Sequence, residues 1–321
     1  MKPSPLMTIS RPGMSDVNPS RKRFNSKLLL FGEYGVMVDA MALSIPFPKF
    51  SGTLNFDEDN SHTASTSEIR KFFEHLQIGE SFLKLHFQFN LGSLEHDLKH
   101  GLYFNSNIPQ QYGVGSSGAL VAALFSKYAL PFITEITPTP ELLKSDFALL
   151  ESYFHGKSSG IDPLISYLNE PLLLDSKKTI QTIQLDLPKT NLSIALIDTK
   201  TTGATGPLVE LFVDQFNSPE FAMVFEREFI PANNGCIHSF INDKKVEFFS
   251  LLEQLILFQL QYFRKMIPMD FHSIISNALN DKVFIKLLGS GGGGFLLAFA
   301  DSEPLLNWWA DKEGIRLLMV T

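Results

Sequence analysis

A run of glycines near the C-terminus constrains the fold of this chain more than any other feature. The segment KLLGSGGGGF contains Gly289 and four consecutive glycines at 291–294, and it lies between the apolar stretches FIKLL and FLLAFA. Glycine weakens a strand unless another backbone or a ligand must approach closely, and each one costs roughly 0.5–1 kcal/mol relative to alanine. A flexible linker would not lie between two buried strands. We therefore predict a strand, a functional glycine loop and a second strand.

A second glycine-rich segment, PQQYGVGSSGAL, precedes the apolar stretch ALVAALFSKYAL, which is typical of a buried helix. The segment contains Gly113, Gly115, Ser116, Ser117 and Gly118. Glycines let the backbone approach a ligand closely, and the N–H groups and dipole at a helix N-terminus attract anions. Serine hydroxyls there can bind a phosphate or Mg²⁺, which prefers oxygen ligands. The simpler alternative is a glycine-serine entry into a helix that binds nothing.

Two familiar nucleotide-binding motifs match parts of this region. The three glycines fit the dinucleotide motif G-x-G-x-x-G, but this motif is weak without a preceding strand in a βαβ unit, and Pro109 precedes it here. HGKSSG resembles the end of a Walker A loop, but Glu151 stands where that loop needs its first glycine. A Walker-type loop is therefore excluded, and an NAD-dependent oxidoreductase stays a weak alternative.

Charged side chains in two other segments are candidates for chemistry. In ESYFHGKSSGIDP, Glu151 lies near the end of a predicted helix, and Asp162 lies in a predicted turn into the next helix. One carboxylate can hold Mg²⁺ while the other accepts a proton from a hydroxyl group. Lys27 begins the first apolar strand, six residues before Glu33. Each charge taken alone is more typical of a helix cap, a strand end or the surface.

The composition describes a globular chain rich in core residues, with an excess of acidic groups. The 321 residues include 27 Lys+Arg, 34 Asp+Glu, one cysteine (Cys236) and 29 phenylalanines, which we interpret as core residues. Nucleic-acid binding depends on Lys and Arg, so a net charge of -7 argues against it, and also against binding to anionic membranes. One cysteine cannot form an internal disulfide, and no signal peptide or transmembrane segment is visible. We predict a cytoplasmic protein.

The pattern along the chain suggests where its parts begin and end. Residues 1–24 are rich in proline and lack periodicity, which predicts a flexible tail. A boundary near 188–191 divides the rest into domains at 25–189 and 190–321. KLLLFGEYGVMV is predicted to form two short strands, Ser67 to cap a helix that begins at EIRKFFEHL, and LSIALIDTK to form a buried strand.

Taken in order, three of these segments resemble the signature motifs of the GHMP kinases. This superfamily is named for galactokinase, homoserine kinase, mevalonate kinase and phosphomevalonate kinase. KLLLFGEYGV is similar to the first motif, PQQYGVGSSGAL to the phosphate-binding second motif, and KLLGSGGGGF to the third. The resemblance runs from about Lys27 to the C-terminus and is closest to the mevalonate kinases. It implies an α+β fold with a ribosomal-S5-like N-terminal domain and a ferredoxin-like C-terminal domain, with ATP between them.

The resemblance also implies a role for each matching residue. Asp162 would deprotonate an acceptor hydroxyl with the help of Lys27, and Ser117 would hold Mg²⁺ together with Glu151. The implied contacts with ATP are Gly113, Gly115, Ser116, Ser117, Gly118, Gly291, Gly292 and Gly293. The implied contacts with the acceptor are Glu33, Tyr34 and Thr205.

Several departures from the family pattern lie mainly on the acceptor side. Asn25 and Ser26 precede Lys27 where Pro-Gly is usual. Tyr34 replaces the histidine of the mevalonate kinases, as is common in phosphomevalonate kinases, and Gly203 stands where mevalonate kinases usually have arginine. Gly118 stands where alanine is commoner. These changes affect the identity of the acceptor more than the transfer of the phosphoryl group.

We therefore expect an ATP- and Mg²⁺-dependent kinase of a small-molecule alcohol. Mevalonate, an intermediate of isoprenoid biosynthesis, is the first candidate acceptor, followed by phosphomevalonate and then a sugar. A decarboxylase relative of the same fold, a non-catalytic GHMP-like binding protein and a homodimer stay open. The acidic net charge does not conflict with anionic substrates, because backbone N–H groups, one lysine and Mg²⁺ can bind phosphate.

Overall fold

A computed structural model of the chain describes residues 22–57, 61–78, 84–131, 138–156, 158–177, 179–185, 187 and 192–320. Most of the predicted tail at 1–24 lies outside the described residues, and so does the predicted domain boundary at 188–191. The limits of the tail and of the two domains therefore stay predictions.

The strands belong to two larger antiparallel sheets and one short pair. In chain order they are β1 (Phe24–Phe31), β2 (Ala42–Phe56), β3 (Phe87–Phe89), β4 (Leu102–Ser106), β5 (Ala129–Pro131), β6 (Leu172–Leu174), β7 (Ile180–Thr182), β8 (Ser193–Asp198), β9 (Phe284–Leu287), β10 (Phe295–Ala300) and β11 (Leu317–Met319). The first sheet has the order β1-β2-β6-β7, with β4 also paired to β2, and the second has the order β11-β8-β10-β9. β3 pairs with β5.

Helices account for most of the remaining chain. In order they are α1 (Thr63–Ile78), α2 (Leu91–Lys99), α3 (Ser116–Tyr128), α4 (Pro140–His155), α5 (Ile161–Leu168), α6 (Thr205–Phe216), α7 (Pro219–Val224), α8 (Ile230–Ile241), α9 (Lys245–Tyr262), α10 (Phe271–Asn280) and α11 (Glu303–Glu313). A π-helical segment, Phe225–Phe229, joins α7 to α8. Among the described residues, no helix is both long enough and apolar enough to cross a membrane.

This mixture of helices and antiparallel sheets confirms the predicted α+β class. Every strand pair among the described residues is antiparallel. A dinucleotide-binding G-x-G-x-x-G motif needs a parallel βαβ unit. The described part of the chain contains no such unit, so the motif match at the second glycine segment does not indicate an NAD site.

The glycine run lies between two buried strands, as predicted. β9 and β10 are antiparallel neighbours in the second sheet, and every residue of both strands is buried. β10 also pairs with β8, the strand predicted from LSIALIDTK. The glycine loop is therefore held at both ends by buried strands, β10 inside the sheet and β9 at its edge.

Helix α3 occupies the interior of the first half of the chain. Its residues from Gly118 to Phe125 are all buried, which is typical of a helix that is apolar on all sides. α3 packs against α5 and β1. This packing fixes the position of the α3 N-terminus, where the second glycine segment ends.

Phenylalanine rings fill the space among the helices of the second half. Phe225 and Phe229 are fully buried and stack with ring centroids 4.3 Å apart. Phe212, Phe258 and Phe263 contact the same cluster. The interpretation of phenylalanine as a core residue is confirmed for these positions.

The prediction of two short strands in KLLLFGEYGVMV was wrong in its second half. Residues Gly35–Met37 form a short 3₁₀ turn, and the next strand begins only at Ala42. The backbone takes φ values of 111° at Gly32 and 58° at Tyr34. These conformations lie outside the extended region, so the strand cannot continue past Phe31.

The predicted start of the first helix was also wrong. α1 begins at Thr63, and Ser67 lies inside the helix. Asp57 accepts hydrogen bonds from the Ser61 hydroxyl and the His62 N–H. This side chain binds the segment just before the helix, and the helix begins five residues earlier than the serine pattern predicted.

Candidate active site

The N-termini of two helices meet at the centre of the site. α3 begins after Gly115 and α5 begins after Gly160, both in the left-handed region with φ values of 79° and 74°. A Cβ on Gly118 would lie 2.8 Å from backbone atoms of Asp162 and Pro163. Glycine at this position therefore lets the first turn of α3 lie directly against the first turn of α5.

Lys27 and Asp162 form an ion pair beside these helix ends. The Lys27 Nζ lies 3.0 Å from Asp162 Oδ2, and their side chains are 7% and 33% exposed. The Lys27 N–H donates to the Val114 carbonyl, which joins β1 to the glycine segment. A Cβ on Gly115 would lie 2.9 Å from Lys27 Cγ, so the glycine leaves room for the lysine. The ammonium and the carboxylate are held in fixed positions.

Glu151 lies at the α3 N-terminus with two serine hydroxyls. Ser117 donates to Glu151 Oε1 at 3.1 Å, and Ser158 donates to Oε2. The glutamate is 4% exposed, and its burial together with the Asp162 carboxylate raises its pKa to about 7. Ser158 has no role in the sequence-based prediction. The sequence feature that could have indicated its contact with Glu151 is its position in the SSGID segment, two residues before Gly160.

The residues around Glu151 fit a magnesium ion. Ser117 and Glu151 supply oxygen atoms, which Mg²⁺ prefers, and Mg²⁺ usually takes its remaining ligands from water and substrate phosphates. The nearby Asp162 adds a second negative charge. No cluster of three His, Cys, Asp or Glu suited to a metal occurs among the described residues, so an ion here would depend on such additional ligands.

The third glycine loop packs against protein backbone on several sides. The Gly292 N–H donates to the Met266 carbonyl, and the Gly294 N–H donates to the Thr201 carbonyl. A Cβ on Gly294 would lie 2.6 Å from the Cα of Tyr112, in the second glycine segment. The glycine run predicted that another backbone or a ligand would approach this loop closely. Part of that close approach is made by the backbone of the protein itself. The binding of ATP by the loop stays a prediction.

Close packing against the third glycine loop requires a glycine at position 203. A Cβ there would lie 2.5 Å from the carbonyl oxygen of Gly291. Its N–H donates to the Gln111 carbonyl at 3.2 Å, so this position joins the second and third glycine segments. A larger side chain at this position would not fit between these backbones.

Glu33 lies in the interior, paired with Lys286 of β9. Both side chains are fully buried and form an ion pair, and the Lys286 ammonium also donates to the Leu287 carbonyl at 2.7 Å. Burial raises the pKa of Glu33 and lowers the pKa of Lys286, while their mutual attraction opposes both shifts. This ion pair connects the end of β1 to the strand that leads into the third glycine loop. The only sequence signal for Lys286 was a lysine within an apolar strand.

Tyr34 and Thr205 meet at a third residue, Ser290. The Tyr34 hydroxyl donates to the Ser290 carbonyl at 2.5 Å, and the Ser290 hydroxyl donates to Thr205 Oγ1 at 3.2 Å. The Tyr34 ring is buried and stacks on Phe212 at 4.9 Å. Tyr34 therefore binds the third glycine loop from the protein interior, whereas Thr205 is exposed at the start of α6.

The predicted site residues thus fall into three groups. The group at the α3 N-terminus consists of Lys27, Gly113, Gly115, Ser116, Ser117, Gly118, Glu151 and Asp162. The group at the third glycine loop consists of Tyr34, Thr205, Gly291, Gly292 and Gly293. Glu33 is apart from both, because its carboxylate is buried against Lys286.

Part of the chain matches a known family model. Residues 78–170 match the family model described as the GHMP kinases N terminal domain. The matched range contains the second glycine segment, Glu151 and Asp162. No curated protein sequence matches the chain.

Three solved kinase structures are similar to more than nine-tenths of the chain. L. major mevalonate kinase in complex with R-mevalonate is 16% identical with a TM-score of 0.62, covering 92% of this chain and 94% of that one. Streptococcus pneumoniae phosphomevalonate kinase with phosphomevalonate and AMPPNP is 16% identical, with a TM-score of 0.64 and coverage of 92% and 98%. Lactococcus lactis galactokinase complexed with galactose is 12% identical, with a TM-score of 0.60 and coverage of 94% of each chain.

These comparisons confirm the resemblance to the GHMP kinases. Residues 78–170 match the GHMP kinase N-terminal family model, and the chain shares the fold of these solved kinases. At 12–16% identity, the solved structures show the fold that is shared.

The raised pKa of Glu151 predicts a pH dependence of stability in the metal-free protein. Between the ordinary value of 4.5 and about 7, the folded protein keeps a proton that the unfolded chain has released. Stability therefore falls with rising pH in this range. Glu151→Gln lacks this titrating group. The free energy of unfolding of the variant minus that of wild type should therefore increase by about 2–4 kcal/mol as the pH rises from 4.5 to 7.5. Urea unfolding with a chelator present measures it.

The control for this experiment is Glu226→Gln, which removes one negative charge from an exposed position. If the difference between Glu151→Gln and wild type is the same at both pH values, the raised pKa of Glu151 is contradicted.

The buried ion pair predicts a large loss of stability when one partner is removed. Lys286→Met leaves the Glu33 carboxylate buried without its cation, which should lower the free energy of unfolding by about 3–5 kcal/mol. Lys312→Met, which breaks the exposed pair with Asp281, should cost at most about 1 kcal/mol. Adding Glu33→Gln to Lys286→Met should restore part of the loss. Equal losses for the two lysine variants in urea unfolding would contradict the prediction.

Proposed function

We propose that this protein is an ATP-dependent kinase that phosphorylates a small-molecule alcohol, with Asp162 as the proton acceptor. The observation that carries the proposal is the Lys27–Asp162 ion pair, with 3.0 Å between the charged atoms, at the N-terminus of α3. Phosphoryl transfer depends mainly on positioning and on the stabilisation of negative charge. A proton acceptor, a cation and an anion-binding helix end lie side by side here. The GHMP kinase N-terminal domain supports the same activity.

The triphosphate of ATP would be bound by the segment Gly113–Gly118. Gly113 and Gly115 have φ values of 75° and 79°, a conformation that side chains other than glycine rarely adopt. The segment therefore presents backbone to a ligand, and the α3 N-terminus adds N–H groups and a helix dipole that attract phosphate. The AMPPNP in the structure of S. pneumoniae phosphomevalonate kinase supports a nucleotide as co-substrate.

Ser117 and Glu151 would hold the magnesium ion. When bound, such an ion neutralises negative charge that develops on the phosphate oxygens. Glu151 is fixed for this role by the hydroxyls of Ser117 and Ser158. Its carboxylate lies close enough to Asp162 that the two negative charges affect each other.

Asp162 would activate the acceptor. As the acceptor hydroxyl oxygen forms its bond to the γ-phosphorus, the bond to the β–γ bridging oxygen breaks, and ADP leaves with the electron pair. The hydroxyl proton passes to the Asp162 carboxylate. Lys27 orients this carboxylate through the 3.0 Å ion pair, and its ammonium can stabilise charge on the group in transfer.

Mevalonate is the acceptor that we propose first, in a reaction of isoprenoid biosynthesis. The ESYFHGKSSGID segment carries the spacing of the mevalonate kinases, and L. major mevalonate kinase, solved with R-mevalonate, has a similar fold. Phosphomevalonate is the second candidate, because Tyr34 follows Glu33 as in phosphomevalonate kinases. A sugar is the third, in view of the similar fold of L. lactis galactokinase.

Removing the proton acceptor should abolish most of the activity and leave nucleotide binding intact. We expect Asp162→Asn to lower kcat by about 10²–10⁴-fold, the range that general base catalysis contributes. A coupled assay of ADP release over mevalonate, phosphomevalonate, homoserine and galactose measures transfer, and calorimetry measures the Kd for ATP.

The matched control is Asp281→Asn, which removes a carboxylate from an ion pair at the surface and should leave both values unchanged. Full activity of Asp162→Asn would overturn the role of Asp162. If wild type transferred phosphate to none of the four acceptors, mevalonate and its proposed alternatives would be wrong.

A further inference from the structure

The connection between α9 and α10 lies directly against the third glycine loop and has no role in the function proposed above. Its Met266 carbonyl accepts a hydrogen bond from the Gly292 N–H at 2.6 Å. A Cβ on Gly291 would lie 2.3 Å from the same carbonyl oxygen, so the loop and the connection are in close contact at two successive glycines. The position of this one carbonyl therefore helps to fix the position of the loop.

Met266 is part of a short 3₁₀ turn, Arg264–Met266. Its N–H donates to the Phe263 carbonyl at 2.8 Å, and the next N–H, that of Ile267, donates to the Arg264 carbonyl at 3.3 Å. The Met266 side chain is fully buried. Hydrogen bonds in 3₁₀ turns have poor geometry, so a turn of this length gains stability from a further partner.

The side chain of His272 is that partner. Its Nε2 lies 2.9 Å from the Arg264 carbonyl oxygen and 3.0 Å from the Ile267 carbonyl oxygen. Carbonyl oxygens only accept hydrogen bonds, so Nε2 carries a proton that the two carbonyls share. These carbonyls lie on either side of Met266 in the sequence. One imidazole therefore closes the turn around the residue that binds the loop.

The imidazole is itself held by a fixed element. His272 is the second residue of α10, whose first two N–H groups donate to the carbonyls of Pro268 and Met269. α10 packs against β9, the strand that leads into the third glycine loop. The loop is thus connected to α10 in two ways, through β9 and through the Met266 turn.

The simpler alternative is that His272 only caps the start of its own helix. A capping side chain bonds to backbone groups in the first turn of that helix. The His272 imidazole instead reaches back five and eight residues, to carbonyls outside α10. This geometry favours a role in the turn beside the loop.

We infer that His272 is a positioning residue, which holds the third glycine loop ready for nucleotide through the Met266 carbonyl. The inference rests on the proposed kinase function and on the proposed contact of this loop with ATP. Without the imidazole, a smaller fraction of molecules has the loop in place, and the apparent Kd for nucleotide rises by the inverse of that fraction. The transfer step depends on Lys27 and Asp162, so kcat changes little.

Amide hydrogen exchange, measured by NMR without nucleotide, tests the structural step. His272→Ala should speed exchange of the Gly292 amide by about tenfold or more, because local opening of the turn exposes it. The Gly294 amide is an internal control, since it bonds to the Thr201 carbonyl on another side of the loop. Its exchange should stay within about threefold. His272→Gln, whose side-chain amide can donate to the same carbonyls, should keep most of the protection at Gly292.

Steady-state kinetics tests the functional step. His272→Ala should raise KM for ATP by about fivefold or more and leave kcat within about twofold, whereas His272→Gln should resemble wild type. His238→Ala is the matched control, because it removes an exposed imidazole from α8. This variant should change neither value.

The outcomes separate this inference from the proposed function. Equal acceleration at Gly292 and Gly294, or none at Gly292, would overturn the positioning role. Faster exchange at Gly292 with an unchanged KM for ATP would overturn the link to nucleotide binding. If wild type transferred phosphate to no alcohol, the kinase function would fail by itself. The Kd for ATP from calorimetry should then still rise in His272→Ala and not in His272→Gln, and equal values would overturn the inference.

Discussion

The candidate site depends on one contact, the approach of α3 to α5 at Gly118. Because this residue has no Cβ, the backbone of the first α3 turn lies against Asp162 and Pro163. Two helix N-termini with positive dipole ends then face the same space. Ser117 on α3 and Asp162 on α5 are neighbours for this reason, and the remaining charged groups are arranged around them. An anion bound here would meet backbone N–H groups and one lysine, so the acidic net charge does not conflict with the proposed binding of phosphate.

The glycine run at 289–294 acts through packing as well as through its proposed contact with ATP. Its backbone touches the segments around Met266, Thr201 and Tyr112, where a side chain on the loop would collide. The buried Glu33–Lys286 pair anchors the strand that enters this loop. The third glycine loop is therefore held by close protein contacts on several sides.

Motif order predicted the centre of the site better than its surroundings. Ser117 and Asp162 each follow a left-handed glycine by two residues at the start of a helix. Lys27 lies in a strand and Glu151 in a helix that the sequence pattern also predicted, so the meeting of these four residues could be anticipated. The pairing of Glu33 with Lys286 could not, because 253 residues separate them and no local pattern records a buried ion pair. The turn after β1 was missed for a related reason, since the left-handed backbone that ends the strand includes a tyrosine, a residue that rarely adopts it.

The central claim is that the α3 N-terminus binds the triphosphate next to Asp162. A crystal structure of the protein with AMPPNP and Mg²⁺ tests it most directly. We predict the β- and γ-phosphates within hydrogen-bonding distance of the backbone at Gly115–Gly118, and the metal ion bound by Ser117 and Glu151. Nucleotide bound away from α3, or a metal ion without contact to Glu151, would contradict the claim.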